Sequence, residues 1–275
     1  MLNGFSVDVE EWFHVCGVPS LGDPATWPAL PSRVRENTRV LLDRLDACQV
    51  RATFFTLGWV AERYPDLVET IVAAGHEIGS HGHLHRRVYE LDASTFAADL
   101  DTSRRALAAA GAGHVVAFRA PEWSINDRSL WALDVLAASG FMLDSSMTPL
   151  PLIGNPAYPR QPHRRSTAHG TLIEVPPMVT TWLGQRVPLG GGWGLRMSRP
   201  RTVLAEIERR NASGETAVLF VHPWELDPEP PRTRLPLAKH FVHYFRLNGF
   251  AGRLTEILRG ARFGPLSEVA AGHPH

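Results

Sequence analysis

Four short stretches of this 275-residue chain carry side chains suited to chemistry. The first is Ser6-Val7-Asp8-Val9-Glu10-Glu11-Trp12. Side chains two residues apart on a strand share a face, so Asp8 and Glu10 would point the same way. Carboxylates that close repel each other unless a cation or an arginine compensates them. The second is Ser80-His81-Gly82-His83-Leu84-His85. If it turns helically, His81 and His85 face the same way, a spacing that suits two ligands of one divalent ion. If it is extended, His83 shares their face and is a rival ligand. In the third, Phe118-Arg119-Ala120-Pro121-Glu122-Trp123, a proline stiffens the chain beside an arginine whose planar fork can grip a carboxylate. The fourth is Phe220-Val221-His222-Pro223-Trp224-Glu225-Leu226-Asp227-Pro228. His222 ends the most apolar run in the chain, either as a packed core residue or as an acid–base group at a strand rim.

Alternating apolar runs and helical periodicity must position these residues. Strands are expected at 2–9, 51–57, 77–80, 115–119, 141–144, 172–175 and 216–222. Helices are expected at 95–110, 127–139 and 200–211, and 235–259 reads as mostly helical. Ser32 reads as the N-cap of a helix carrying Val34, Leu41, Leu42 and Leu45. One helix is expected through Val60, Tyr64, Leu67, Val68, Ile71 and Val72, stopping at Gly75. This β-then-α rhythm predicts an α/β fold, a parallel sheet flanked by helices, open or closed into a barrel. All four reactive stretches then fall at the C-terminal ends of strands, the edge where such folds bind ligands. Residues 148–170, with five prolines, are expected to form a covering loop.

Lysine plus arginine equals aspartate plus glutamate at 28 each, so no overall positive field exists to hold nucleic acid or an anionic surface, although a local patch can. Cys16 and Cys48 form no Cys-x-x-Cys pair, which excludes a zinc ribbon and a thioredoxin-like motif and suits free thiols in a reducing compartment. The first residues lack a basic start and apolar core, and no run of about 18 apolar residues occurs. A cytoplasmic protein without a membrane span is the resulting expectation.

In order along residues 1–228, the sequence resembles the polysaccharide deacetylase family, the NodB-homology carbohydrate esterases. Asp8-Val9-Glu10 matches the family's strand-one acidic motif and His81-Gly82-His83-Leu84-His85 its His-x3-His metal motif. Arg119-Ala120-Pro121 matches its Arg-x-Pro motif, and Val218-Leu219-Phe220-Val221-His222-Pro223 its last strand and histidine. His222-Pro223-Trp224-Glu225-Leu226-Asp227-Pro228 with Gly190-Gly191-Gly192-Trp193 resembles a subfamily found beside exopolysaccharide export clusters (the XrtA/PEP-CTERM type). Its C-terminal helical extension resembles residues 229–268 here.

The resemblance implies a distorted (β/α)7 barrel over 1–228 with 229–275 packed on it. It also implies a metal-dependent amide hydrolase acting on an N-acetylated sugar or glycan, with Asp8 as catalytic base, Arg119 as its partner and His222 as the acid. His81 and His85 carry over as metal ligands. The family usually has two adjacent aspartates, whereas Val9 separates Asp8 from Glu10 here, so the third ligand is assigned to Glu10 with Asp8 or Glu11 as fallbacks. Zn2+ is the default ion, with Co2+, Mn2+, Ni2+ or Fe2+ as alternatives. Asp144 is a candidate to orient His222. Trp12, Trp123, Trp193 and Trp224 lie beside reactive stretches, and with Pro121 they are expected to meet the apolar faces of a sugar. Two further readings stand: a cyclic-amide hydrolase on the same fold, and a non-catalytic carbohydrate-binding protein.

Overall fold

The computed structural model describes residues 1–272; the last three residues of the expected extension, 273–275, lie outside them. The strands are β1 (Asn3–Val9), β2 (Thr53–Thr56), β3 (Glu77–Ser80), β4 (Ala117–Phe118), β5 (Leu143–Asp144), β6 (His163–Thr167), β7 (Gly170–Glu174), β8 (Val179–Trp182), β9 (Gln185–Pro188), β10 (Val218–Val221) and β11 (Phe263–Gly264). Seven pair in parallel in the order β10-β1-β2-β3-β4-β5-β7. β6 adds antiparallel at one edge, and β8–β9 is a separate hairpin.

The parallel sheet is a curled half-barrel. β10 and β7 form no ladder with each other; the chain after β7 fills the gap. The Met178 N–H donates to the Val218 carbonyl over 2.8 Å and the Phe220 N–H to the Gly190 carbonyl over 2.9 Å. The expected barrel therefore has its seven strands but is joined by an irregular strip instead of a closing ladder. β1 is buried along its whole length, as a parallel strand covered on both faces must be. Helices supply the cover: Leu41 and Leu45 of Val34–Ala47, Val68 and Ile71 of Pro65–Ala73, and Phe96 and Leu100 of Ala93–Ala109 lie in one core with Phe5, Val7 and Phe54.

Three local expectations differ from the structure. Ser32 does not cap the helix Val34–Ala47, which starts from Arg33 without a side-chain cap; its hydroxyl donates to Glu11 Oε1 instead. The single helix expected over 60–72 is two, Gly58–Arg63 and Pro65–Ala73, because Pro65 bars a helical conformation at Tyr64 and opens a new helix. The covering loop of 148–170 shortens, since 163–167 is β6. That strand, His-Arg-Arg-Ser-Thr, has no apolar alternation to reveal it, and the β8–β9 hairpin is half solvent-facing. Beyond residue 228, helix Phe250–Gly260 packs on helix Pro200–Ala212, and β11 pairs with β1.

Candidate active site

The C-terminal edge of the sheet gathers the reactive stretches around one cavity of about 560 Å3, lined by Asp8, Glu10, His81, His85 and His222. β1 delivers Asp8 and, one residue past its end, Glu10. β3 delivers His81, after which Gly82 at φ +76° and His85 at φ +51° turn the chain back on itself. This turn brings His85 beside His81, with ring centroids 5.3 Å apart. His83 is carried the other way, its Nε2 3.8 Å from Glu62 Oε2.

One donor atom each from Glu10, His81 and His85 lies within 4.8 Å of the others, and all three residues are buried. Their second atoms are already held. His81 Nδ1 is 2.8 Å from the Arg119 carbonyl, which can only accept, so Nδ1 carries the proton and Nε2 presents a lone pair. Cys16 Sγ donates to the His85 carbonyl at 3.2 Å and lies 3.4 Å from His85 Nδ1, an arrangement that turns His85 Nε2 inward. The Trp224 indole N–H donates to Glu10 Oε1 over 3.1 Å, which leaves Oε2 buried and facing the histidines, 2.7 Å from His85 Nε2 and 3.8 Å from His81 Nε2. Two imidazole nitrogens and a carboxylate oxygen, aimed at one point and backed by fixed partners, fit a divalent ion with open positions. The fallback ligands sit elsewhere. Asp8 is engaged by Arg119, and Glu11 accepts from the Arg33 N–H and the Ser32 hydroxyl.

Arg119 is fully buried. Its Nη1 donates to Asp8 Oδ1 over 2.7 Å, its Nη2 to the Ser145 hydroxyl over 2.8 Å, and Phe55 and Phe220 cover its guanidinium at 4.4 and 5.3 Å. Asp8 Oδ2 is left facing His222, with Nε2 3.9 Å away.

His222 Nδ1 lies 3.1 Å from Glu225 Oε2, and the same oxygen accepts from the His222 backbone N–H. Glu225 in turn meets Arg196 Nε at 2.8 Å, with both side chains buried. Asp144 has no contact with His222: it is buried against Glu174 and accepts from the Ser146 hydroxyl. The carboxylate that orients the histidine is thus Glu225, three residues along the same 3-10 turn. Asp144 is instead taken up by Glu174, its register partner on β7, and by the Ser146 hydroxyl. Glu225 lay inside the quoted fourth stretch; Arg196 gave no signal of its own.

Electrostatics follow from these contacts. Burial works against a charge on Glu10, yet the His85 and His222 imidazoles hold its carboxyl well below the usual range. Burial pushes His81 down to about 4, so it stays neutral. Burial also opposes a charge on His222, but Glu10 and then Glu225 outweigh it and raise His222 to about 9.

Of the tryptophans, Trp123 and Trp193 line the cavity. Glu122 and Trp123 both adopt left-handed backbone, φ +51° and +49°, which brings the indole to 4.4 Å from the Phe220 ring. Such strain persists where the surroundings enforce it. Trp224 lines the cavity too, but its N–H is committed to Glu10. Trp12 is 3% exposed, bonded to the Pro31 carbonyl and packed on Phe13, so it is core and presents no face to a sugar. Pro121 is buried at the start of a 3-10 turn and does not reach the cavity wall.

Residues 25–140 match the polysaccharide deacetylase family model, and residues 145–271 match a domain of unknown function, DUF3473. A peptidoglycan-N-acetylglucosamine deacetylase of Bacillus cereus is 46% identical over 50 residues, 18% of each chain. Chitin deacetylase 1 of Saccharomyces cerevisiae is 35% identical over 91 residues, 33% of this chain and 29% of that one. The matched segments thus span less than a third of those relatives. Among solved structures, a candidate polysaccharide deacetylase from Mycobacterium smegmatis superposes with a TM-score of 0.65 at 23% identity, covering 98% of this chain and 88% of the other. The allantoinase PuuE gives 0.63 at 14%, covering 99% and 91%. At these identities the two structures share the fold.

Proposed function

We propose that this protein is a metal-dependent hydrolase that removes the N-acetyl group from N-acetylhexosamine units of a glycan or glycan precursor. The observation that carries it is the meeting, in one cavity, of an aimed Glu10–His81–His85 donor set with an Asp8–Arg119 pair and a Glu225-held His222. The partial sequence likeness to deacetylases supports the same chemistry. Glu10, His81 and His85 would hold the ion, with Zn2+ the first to test. When bound, it supplies Lewis acidity that activates water and polarises a carbonyl.

The remaining steps belong to the chain. Asp8, with Oδ1 fixed by Arg119, keeps Oδ2 to take a proton from the attacking water. Arg119 cannot lend its own proton and so holds the base charged and oriented. His222, protonated and held through Nδ1, gives the Nε2 proton to the departing amine. Trp123 and Trp193 cover the sugar's apolar face.

The test is direct: supply Zn2+ and N-acetylated sugars, free, polymeric and lipid-linked, and measure acetate. Metal-dependent acetate release, abolished in His81→Ala, is the expected result. Sugar binding with no acetate over hours overturns it in favour of a binding protein.

A further inference from the structure

The mouth of the cavity is ringed by apolar side chains that folding does not use. Leu152 stands on the 148–160 loop, fully solvent-exposed at 104%. Leu183, 80% exposed, is at the tip of the β8–β9 hairpin next to exposed Trp182. Leu237, 90% exposed, opens the helix Leu237–Tyr244, whose outer stripe continues through Phe241 to Phe245 while His243 and Tyr244 face inward. Each segment also builds the cavity wall, through Leu150 and Ile153, through Val179 and Pro188, and through Lys239 and Val242. Arg186 of the hairpin bonds the Pro149 carbonyl and so ties the first two segments together.

Leu152 and Leu183 have φ of +73° and +47°. A bulky side chain in the left-handed region is costly, and Leu183-Gly184, both at positive φ, fill a turn that favours asparagine or aspartate before glycine. Neither backbone preference nor burial accounts for a leucine at either place.

Charge separates the same way, although the chain is neutral overall. Residues 145–205 and 230–255 together carry twelve arginines and lysines and one carboxylate, Glu174. Glu174 and Arg196 are both buried, so these stretches offer solvent eleven cations and no acidic side chain, with Asp127, bonded to Asn155 and Tyr158, and Glu122 at the cavity wall as acidic neighbours.

We infer that this rim is a peripheral docking surface for an anionic lipid bilayer, with Leu152, Trp182, Leu183, Leu237 and Phe241 entering the interface and the surrounding cations meeting lipid headgroups. Apolar tips amid a predominantly basic field fit an interface that is apolar below and negative above. Docked this way, the cavity opens onto the membrane surface, where a glycan carried on a lipid would enter. No helix of the described residues is long and apolar enough to span a bilayer.

Flotation with phosphatidylglycerol–phosphatidylcholine vesicles tests this, and it reads no turnover, so failure of the deacetylase reading leaves it intact. Wild type should float with anionic vesicles at low salt, stay behind with pure phosphatidylcholine, and be released at high salt. Leu152→Asn with Leu183→Asn suits both backbones, so the pair should melt no lower than wild type. It should also leave hydrolysis of a short soluble substrate unchanged. Each lost leucine should weaken partitioning by about tenfold. Wild type that stays unbound to anionic vesicles, a double variant that floats like wild type, or sedimentation showing the patch covered by a second copy overturns the proposal.

Discussion

The indole N–H of Trp224 donates to Glu10 Oε1 over 3.1 Å, and this bond decides which carboxylate oxygen faces the two histidines. A tryptophan beside a reactive stretch reads as a sugar platform; here it is a strut for a donor atom. Trp224→Phe keeps the ring and removes the bond. Metal affinity should fall by about 10–100-fold, as with other lost partners of a metal ligand, measured by competition with a chromophoric chelator.

Asp8→Asn should lower turnover by about 100-fold or more while the metal stays bound. It also leaves the buried Arg119 without a counter-charge, so the melting temperature should drop. Acetate release at the wild-type rate would show that another group is the base.

If His222 is the acid, Glu225 should set the alkaline limb of activity. His222, raised above its ordinary value by Glu10 and then Glu225, must be protonated to donate, so rate should be lost as pH climbs past its pKa. A cation on Glu10 would offset that carboxylate's influence, leaving Glu225 as the main group opposing burial. Glu225→Gln should therefore move the alkaline limb of the kcat profile to lower pH. An unmoved limb would mean that His222 is not the acid.

Gly192 is required by the same carboxylate. A Cβ there would fall inside the Glu225 carboxyl group. Gly192→Ala must push Glu225 off His222 and Arg196, costing about 1–3 kcal/mol of stability by overpacking. Activity should fall with it, whereas Gly252→Ala, where a Cβ meets nothing within 4 Å, serves as the control.

Asp144 and Glu174 are register partners on β5 and β7, and both are fully buried. Burial raises Asp144 from 3.8 to about 6, and burial with Asp144 beside it keeps Glu174 protonated well above the usual range. A raised carboxyl binds its proton more tightly folded than unfolded, so its contribution is fully present below 3.8 and is lost as pH rises through about 6. Chemical denaturation should show stability declining over that window, and Asp144→Asn should flatten the decline.

The sequence by itself determined the alternation of strands and helices and the placement of Asp8, His81, Arg119 and His222 at strand ends, because side-chain period and apolar runs are local properties. Residue spacing alone left His83 and His85 as rivals, and only the family resemblance favoured His85. That choice rests on positive φ at Gly82 and His85, in a turn whose carbonyls accept from the Gly58 and Trp59 N–H groups and from Cys16. The sequence could not find Arg196, whose partner Glu225 is 29 residues away, or show that Trp12 is core and Trp224 a strut. Those assignments depend on which buried polar atoms meet across the curled sheet. Only the tertiary structure decides that, because a buried donor or acceptor must find a partner wherever folding brings one within about 3 Å.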